Sequence, residues 1–164
     1  MKKVLIAYIS KTNTTKEIAE HIKVALQTED VGVDVLSFNE VKNIGEYNAI
    51  IVGSPINGMM WLPQATEFVL DNKEKLGRVP VAYYFVSYLF KDGRKMWRKA
   101  IDKSLNKPIA AVKPVAIGKF SGRVEKKFPR FFAWIFGIKR DLPLDLVDFK
   151  QADEFVAEFK QYLK

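Results

Sequence analysis

The 164-residue chain has no cysteine, which excludes disulfides, thiolate metal sites, iron–sulfur ligation and thiol nucleophiles together. Any redox chemistry must therefore come from a bound cofactor. Histidine occurs once, at His21, and no Ser-His-Asp arrangement or pair of acids stands out, so hydrolytic chemistry has no support. His21 falls four residues after Glu17 on a helical pattern and is expected to be a solvated surface residue. Long apolar runs are also missing. The N-terminal one, residues 4–9, is too short for a secretory segment, and none approaches the roughly 18 residues a spanning helix needs. The chain is expected to be soluble and cytoplasmic.

What is present is a globular composition, 48% apolar and 13% aromatic, which excludes a disordered or fibrous chain. The length suits one domain with a full hydrophobic core. Net charge is +8, but unevenly placed. Residues 119–140 hold seven basic side chains against Glu125 alone, and residues 91–107 hold seven against Asp92 and Asp102. The remainder is mildly acidic, so the basic character belongs to local surfaces.

Hydrophobic periodicity gives the organisation. Residues 3–9 read as a strand, and the polar stretch 10–15 opens a helix with Ile18, Ala19, Ile22, Ala25 and Leu26 on one face. Further strands are expected at 33–38, 49–52, 79–86 and 112–117, with helices at 63–75, 93–105 and 151–163. Strands alternating with helices imply right-handed crossovers and a parallel sheet covered on both faces. The expected fold is α/β, a three-layer sandwich on a five-stranded parallel sheet in the order 2-1-3-4-5, with its ligand site at the carboxyl ends of strands one and three. Residues 1–164 are expected to form one domain, and residues 119–149, too long for an ordinary connection, an insertion.

The loops at the strand ends carry the chemistry. Ser10, Lys11, Thr12, Asn13, Thr14 and Thr15 place hydroxyls and an amide just before a helix, where backbone N–H groups and the positive end of the helix dipole favour a phosphate. The plainer reading is a helix cap, which Ser and Thr also favour. Other uses of this fold lack their residues. A receiver domain needs carboxylates where this chain has Tyr8-Ile9 and Gly53-Ser54. A nucleoside-triphosphate loop or a dinucleotide fingerprint needs glycine patterns that do not occur.

The string from Tyr8 through Thr15 resembles the phosphate signature of the flavodoxin family, Y-x-S-x-T-G-N-T. It departs at Asn13, where the family commonly has glycine, and at Thr14, where it commonly has asparagine. Asparagine tolerates the left-handed backbone such a turn requires. The segment from Gly53 through Trp61 resembles the Gly-Ser-Pro-Ile loop of flavodoxin-domain oxidoreductases. The resemblance implies a flavodoxin-like fold that binds flavin mononucleotide (FMN). Ser54, Pro55, Ile56, Asn57, Gly58 and Trp61 are then expected along one side of the ring, unless Trp61 packs as core. By analogy of position, Ser87, Tyr88 and Leu89 are expected along the other.

Residues 123–140 place bulky aromatics between positive charges, the composition of a segment that lies in a membrane interface or docks an apolar partner. The alternative is that Phe131, Phe132, Trp134, Ile135 and Phe136 cover one face of the sheet. A comparable basic, apolar insertion makes the chain similar to the menaquinone-dependent protoporphyrinogen oxidases. That resemblance implies an FMN-dependent oxidoreductase acting on a small redox substrate, a quinone or an anionic tetrapyrrole. A flavodoxin-type electron carrier and a flavin-free interaction domain are the alternatives. Lys11, Lys91 and Arg94 are expected to flank the flavin and favour its reduced anion. Nucleic-acid recognition motifs are absent, and no nucleic-acid partner is expected.

Overall fold

The computed structural model describes residues 1–92, 94–125, 127–138 and 141–163, the side chains of Lys91 and Asp92 excepted. The sequence-derived helix at 93–105 thus begins outside the described residues, as do Lys126, Lys139 and Arg140 of the insertion.

Three strands carry buried apolar runs whose alternate residues enter opposite layers. From β1 (Lys2–Tyr8), Val4, Ile6 and Tyr8 face one core while Leu5 and Ala7 face the other. In β3 (Ala49–Asn57) the same split separates Ala49 and Ile51 from Ile50 and Val52, and in β5 (Val81–Val86) it separates Ala82 and Tyr84 from Tyr83 and Phe85. With β2 (Val31–Ser37) and β6 (Ala116–Phe120) they form a parallel sheet in the order β2-β1-β3-β5-β6. A short strand β4 (Met60–Trp61) turns back antiparallel onto the end of β3. The order along the five parallel strands is the one expected from sequence.

The first core is closed by α1 (Thr14–Leu26) and α8 (Phe149–Lys160). Ile18, Ala19 and Ile22 of α1 meet Phe155, Val156 and Phe159 of α8. His21 is not a free surface residue, for its Nε2 lies 2.7 Å from Asp153 Oδ1 and its ring stacks on Phe149, tying α1 to α8. The second core is closed by α2 (Pro63–Asp71), α3 (Lys73–Leu76) and the residues following β5. The helix expected over 63–75 divides at Asn72, whose side-chain amide donates to the Phe68 carbonyl at 2.9 Å.

After β5 the chain forms α4 (Leu89–Asp92), α5 (Lys95–Ser104) and α6 (Asn106–Ala111). β6 therefore starts four residues later than expected. Pro114 has no N–H to give to a sheet ladder, so pairing begins beyond it.

The segment expected as an insertion has its own small core. β7 (Arg123–Val124) pairs antiparallel with β8 (Leu144–Asp145), and α7 (Arg130–Phe136) lies between them in the chain. Gly137, at φ 80°, ends α7 with a Schellman arrangement: Ile138 N–H donates to Ala133 C=O and Gly137 N–H to Trp134 C=O. Val124, Ala133 and Ile138 are buried here, with Tyr88, Phe128 and Phe136 packed against them. The aromatics do not cover the sheet, since Phe131, Phe132 and Trp134 are exposed.

Buried phenols make the fold sensitive to alkali. Tyr83 donates to Val112 C=O at 2.8 Å and Tyr84 to Thr15 C=O at 2.9 Å. Burial raises the pKa of both well above 10. Their folded-state pKa values thus exceed the unfolded value, so their contribution to stability is intact below pH ~10 and is lost as pH rises beyond it. Each costs about 1.4 kcal/mol per pH unit in that range. In an alkaline titration, part of the tyrosinate absorbance is expected to appear together with the loss of circular dichroism. Ionisation of all six tyrosines near pH 10 with the fold intact would contradict this.

Candidate functional site

The carboxyl ends of β1, β3, β5 and β6 converge on one cleft. It is lined by Lys11, Thr12, Thr14 and Thr15 from the loop and first turn of α1, by Pro55, Ile56 and Asn57 from the end of β3, by Val86, Ser87 and Tyr88 after β5, and by Gly122 and Arg123 after β6. The strand ends are held in register by Ile9 N–H to Gly53 C=O and Ser87 N–H to Phe120 C=O, both at 3.0 Å.

The loop from Ser10 to Asn13 makes no side-chain cap on α1. Asn13 adopts φ 65°, the left-handed conformation that its family counterpart glycine would take at no steric cost. Its side chain makes no cap bond, and the first backbone bond of α1 runs from Glu17 N–H to Asn13 C=O. The hydroxyls are equally uncommitted. Ser10 Oγ and Thr14 Oγ1 are buried and have no hydrogen-bond partner among the described residues, although Thr14 as a whole is only 2% exposed. A buried hydroxyl without a partner costs roughly 1–3 kcal/mol, so such groups in a native fold ask for an explanation. Two orphaned hydroxyls at the N-terminus of a 13-residue helix fit a phosphate monoester, which accepts hydrogen bonds and carries the charge that the helix dipole favours.

Asn13 gives a direct check on this geometry. Asn13→Gly is expected to leave stability within a few tenths of a kcal/mol of the parent, whereas Asn13→Val should lower it by roughly 1–2 kcal/mol, because a β-branched residue resists positive φ. Urea unfolding curves measure both.

The second wall is a hairpin. Asn57 and Met60 pair across a turn whose central residues, Gly58 and Met59, both have positive φ (56° and 61°), the type I′ geometry that fits the twist of the strands. The hairpin brings Pro55, Ile56 and Asn57 to the cleft and leaves Gly58 at its exposed tip. Trp61 goes elsewhere. Strand alternation turns its indole into the second core, 3% exposed, where its ring centroid lies 5.3 Å from those of both Tyr83 and Phe85. It therefore packs as core and is not part of the cleft wall. Ser54 is likewise fully buried, with its hydroxyl donating to Pro55 C=O.

The third wall follows β5. Ser87 Oγ accepts from Leu89 N–H at 3.2 Å and starts α4, which turns Leu89 inward and leaves it 3% exposed, behind the cleft. Tyr88 faces the cleft, with Phe128 and Phe136 of the insertion packed edge-on to its ring at 5.6 and 6.4 Å. Burial raises its pKa, so the phenol is neutral at physiological pH.

Val86, Gly122 and Arg123 line the cleft although local sequence reasoning did not expect them there, and Arg123 is the charged one. Its guanidinium donates to Glu17 Oε2 at 2.6 Å and to Asp145 Oδ2 at 2.9 Å, which fixes it beside the first turn of α1. The hydrogen bond from Arg123 holds the Asp145 carboxyl below the usual carboxylate range. The signal was topological, since a residue just past the last parallel strand must emerge at the same end of the sheet as the other loops. Arg94, expected beside the ligand, is instead committed to the insertion, with its guanidinium 5.8 Å over the Trp134 ring and donating to Trp134 C=O. The side chain of Lys91 lies outside the described residues. The cleft thus presents Lys11 and Arg123 and no carboxylate among the described lining residues.

Comparison with known proteins agrees with this geometry. A family model described as Flavodoxin domain matches residues 5–135. The fold is similar to that of oxidised flavodoxin 1 from Bacillus cereus, with a TM-score of 0.62 at 17% identity over 99% of this chain and 100% of that one. It is also similar to a Fusobacterium nucleatum flavodoxin bound to flavin mononucleotide, with a TM-score of 0.59 at 16% identity over 98% of each chain. An NADH:FMN oxidoreductase in its apo form gives a TM-score of 0.59 at 12% identity over 99% of this chain and 88% of that one. No curated protein sequence matches the chain.

Proposed function

Because this chain belongs to the flavodoxin domain family, we propose that its cleft holds FMN and that the protein is a cytoplasmic FMN-dependent oxidoreductase. The observation that carries the cofactor assignment is the pair of orphaned hydroxyls, Ser10 Oγ and Thr14 Oγ1, at the N-terminus of α1. Ser10, Thr12, Thr14 and Thr15 would hold the phosphate. Pro55, Ile56 and Asn57 on one side, with Ser87 and Tyr88 on the other, would hold the ring. The flavin, when bound, supplies the exchange of electrons and protons with small organic partners.

The chain's own residues set the conditions for that exchange. Neutral Tyr88, backed by Phe128 and Phe136, limits water on one side of the cleft. Lys11 brings a positive charge to a cleft lined by no carboxylate among the described residues, which favours a reduced, anionic ligand and anionic substrates, while the charge of Arg123 is offset by Glu17 and Asp145. A carrier that must be a strong reductant gains nothing from such a lining, whereas an oxidase that passes electrons on to a quinone does. The finer reading is therefore an enzyme like the protoporphyrinogen oxidases, with an anionic tetrapyrrole as donor of electrons and protons and a quinone as their acceptor. An electron carrier is the second reading, favoured by the flavodoxins among its structural neighbours.

The test is reconstitution with FMN followed by assay of protoporphyrinogen oxidation with a menaquinone analogue. Stoichiometric FMN with turnover supports the oxidase. Stoichiometric FMN without turnover, but with electron transfer to an acidic redox protein, supports the carrier, and failure to hold FMN removes both.

A further inference from the structure

We infer that α7 is a lipid-docking element that binds the protein to membranes with anionic headgroups. It carries three exposed aromatics, two of them in ring contact with each other and the third, Trp134, lying under the Arg94 guanidinium. Phe131 is 66% exposed, Phe132 46% and Trp134 68%. The Phe131 and Phe132 rings meet edge to face at 5.7 Å, and Phe132 stacks near Phe136 at 6.4 Å. Scattered exposed aromatics are ordinary, but a group of them on one helix marks an interaction site.

The surface is held in place from below. Ala133 and Ile138 are buried in the core of the insertion. Trp97 Nε1–H donates to Ile135 C=O at 3.3 Å, and Arg94 binds Trp134 C=O at 3.2 Å. These bonds from Arg94 and from Trp97 of α5 to the carbonyls of α7 hold the exposed rings in place.

Charge identifies the occupant. Arg94 and Arg98 lie one turn apart on the α5 side, Lys95 and Lys99 accompany them, and Lys127 and Arg130 precede the rings on the α7 side, all exposed. Of the described acids nearby, Glu125 is exposed beside Lys127 and sets one negative charge against these six cations. Asp102 is engaged by Lys119 at 2.6 Å, and Asp141 meets Arg130 at 3.6 Å with both side chains almost fully exposed. A second copy docked by two-fold symmetry would set these same cations against each other. An anionic bilayer accepts both components, with aromatic rings at the acyl boundary and Lys and Arg among the headgroups. No helix among the described residues is long and apolar enough to span a membrane, so docking of this kind would be peripheral and reversible.

Flotation of the full chain with vesicles, in both the apo and FMN-loaded forms so that the outcome is independent of the flavin, tests the inference. Phosphatidylcholine vesicles containing phosphatidylglycerol are expected to carry the protein and pure phosphatidylcholine vesicles to carry far less, with binding weakened by salt. The Phe131→Ser, Phe132→Ser, Trp134→Ser variant should bind more than tenfold more weakly at unchanged circular dichroism. If that variant does not fold, quenching of emission in the parent chain by lipids brominated near the headgroup decides, and the quenching must vanish in Trp134→Phe. Absence of flotation, flotation unaffected by the triple substitution, or a parent chain whose aromatic surface instead drives dimerisation would overturn the inference.

Discussion

Gly53→Ala is expected to destabilise the protein by about 3 kcal/mol, at the upper end of what overpacking a core usually costs. Gly53 lies in the middle of the sheet, paired with Tyr8 on one side and Tyr84 on the other. The Tyr84 ring crosses directly over it, and a methyl group there would fall 1.9 Å from Tyr84 Cζ and 2.0 Å from Cε1. These are ring atoms of a side chain buried completely, with Phe120 beside it at 5.6 Å and its hydroxyl bonded to Thr15 C=O. The ring cannot yield without releasing the first turn of α1, so the site should suffer along with the fold. The clash also specifies its own control. In a Tyr84→Leu background the shorter side chain leaves room for the methyl, and Gly53→Ala should cost far less there, a coupling of roughly 1–3 kcal/mol in a double-mutant cycle. Denaturant midpoints for the four proteins give the answer. A single variant within ~0.5 kcal/mol of the parent, the scale of a neutral substitution, would sink the packing account.

The same glycine shows where sequence reasoning stops. Read along the chain, Gly53 ends an apolar run and looks like the start of a loop, because glycine weakens a strand. In space the strand continues to Asn57, and the glycine is there because Tyr84, 31 positions away, needs the space. Local pattern was sufficient for β1, for α1 and for the buried alternation of β3 and β5, since each of those signals lies within one element. Polar loop chemistry was equally legible, and the structure gathers Lys11, Thr12, Thr14, Thr15 and Pro55 into one cleft. Legibility failed where a residue's role depends on a distant partner. Trp61 has the composition of a ring-covering residue, but the type I′ hairpin and strand alternation turn it into the core. Arg94 looks like a cleft cation and serves α7. Arg123 looks like part of a charge run and is fixed in the cleft by Glu17, more than a hundred residues away. Pairings of that kind are not written in spacing or periodicity.

Thr14→Val is expected to move stability and cofactor affinity in opposite directions. Valine keeps the shape and β-branching of threonine and removes only the hydroxyl. In the free protein that hydroxyl is buried without a partner among the described residues, so its removal should raise apo-protein stability by about 1 kcal/mol, the low end of the cost of an unsatisfied buried group. With FMN bound, the hydroxyl is expected to donate to the phosphate, and a hydrogen bond to a charged group contributes roughly 1.5–3 kcal/mol. FMN should then bind roughly 10- to 150-fold more weakly. Riboflavin, which has the ring and no phosphate, should bind the variant and the parent alike. Ser10→Ala should behave in the same way. Fluorescence titration with the two flavins and urea unfolding of the apo-proteins supply every quantity needed. A role in folding alone predicts the reverse pattern, with a less stable apo-protein and unchanged discrimination between FMN and riboflavin. The sign of the stability change therefore decides whether the orphaned hydroxyl belongs to the fold or to the ligand, and the riboflavin control ties that ligand to its phosphate.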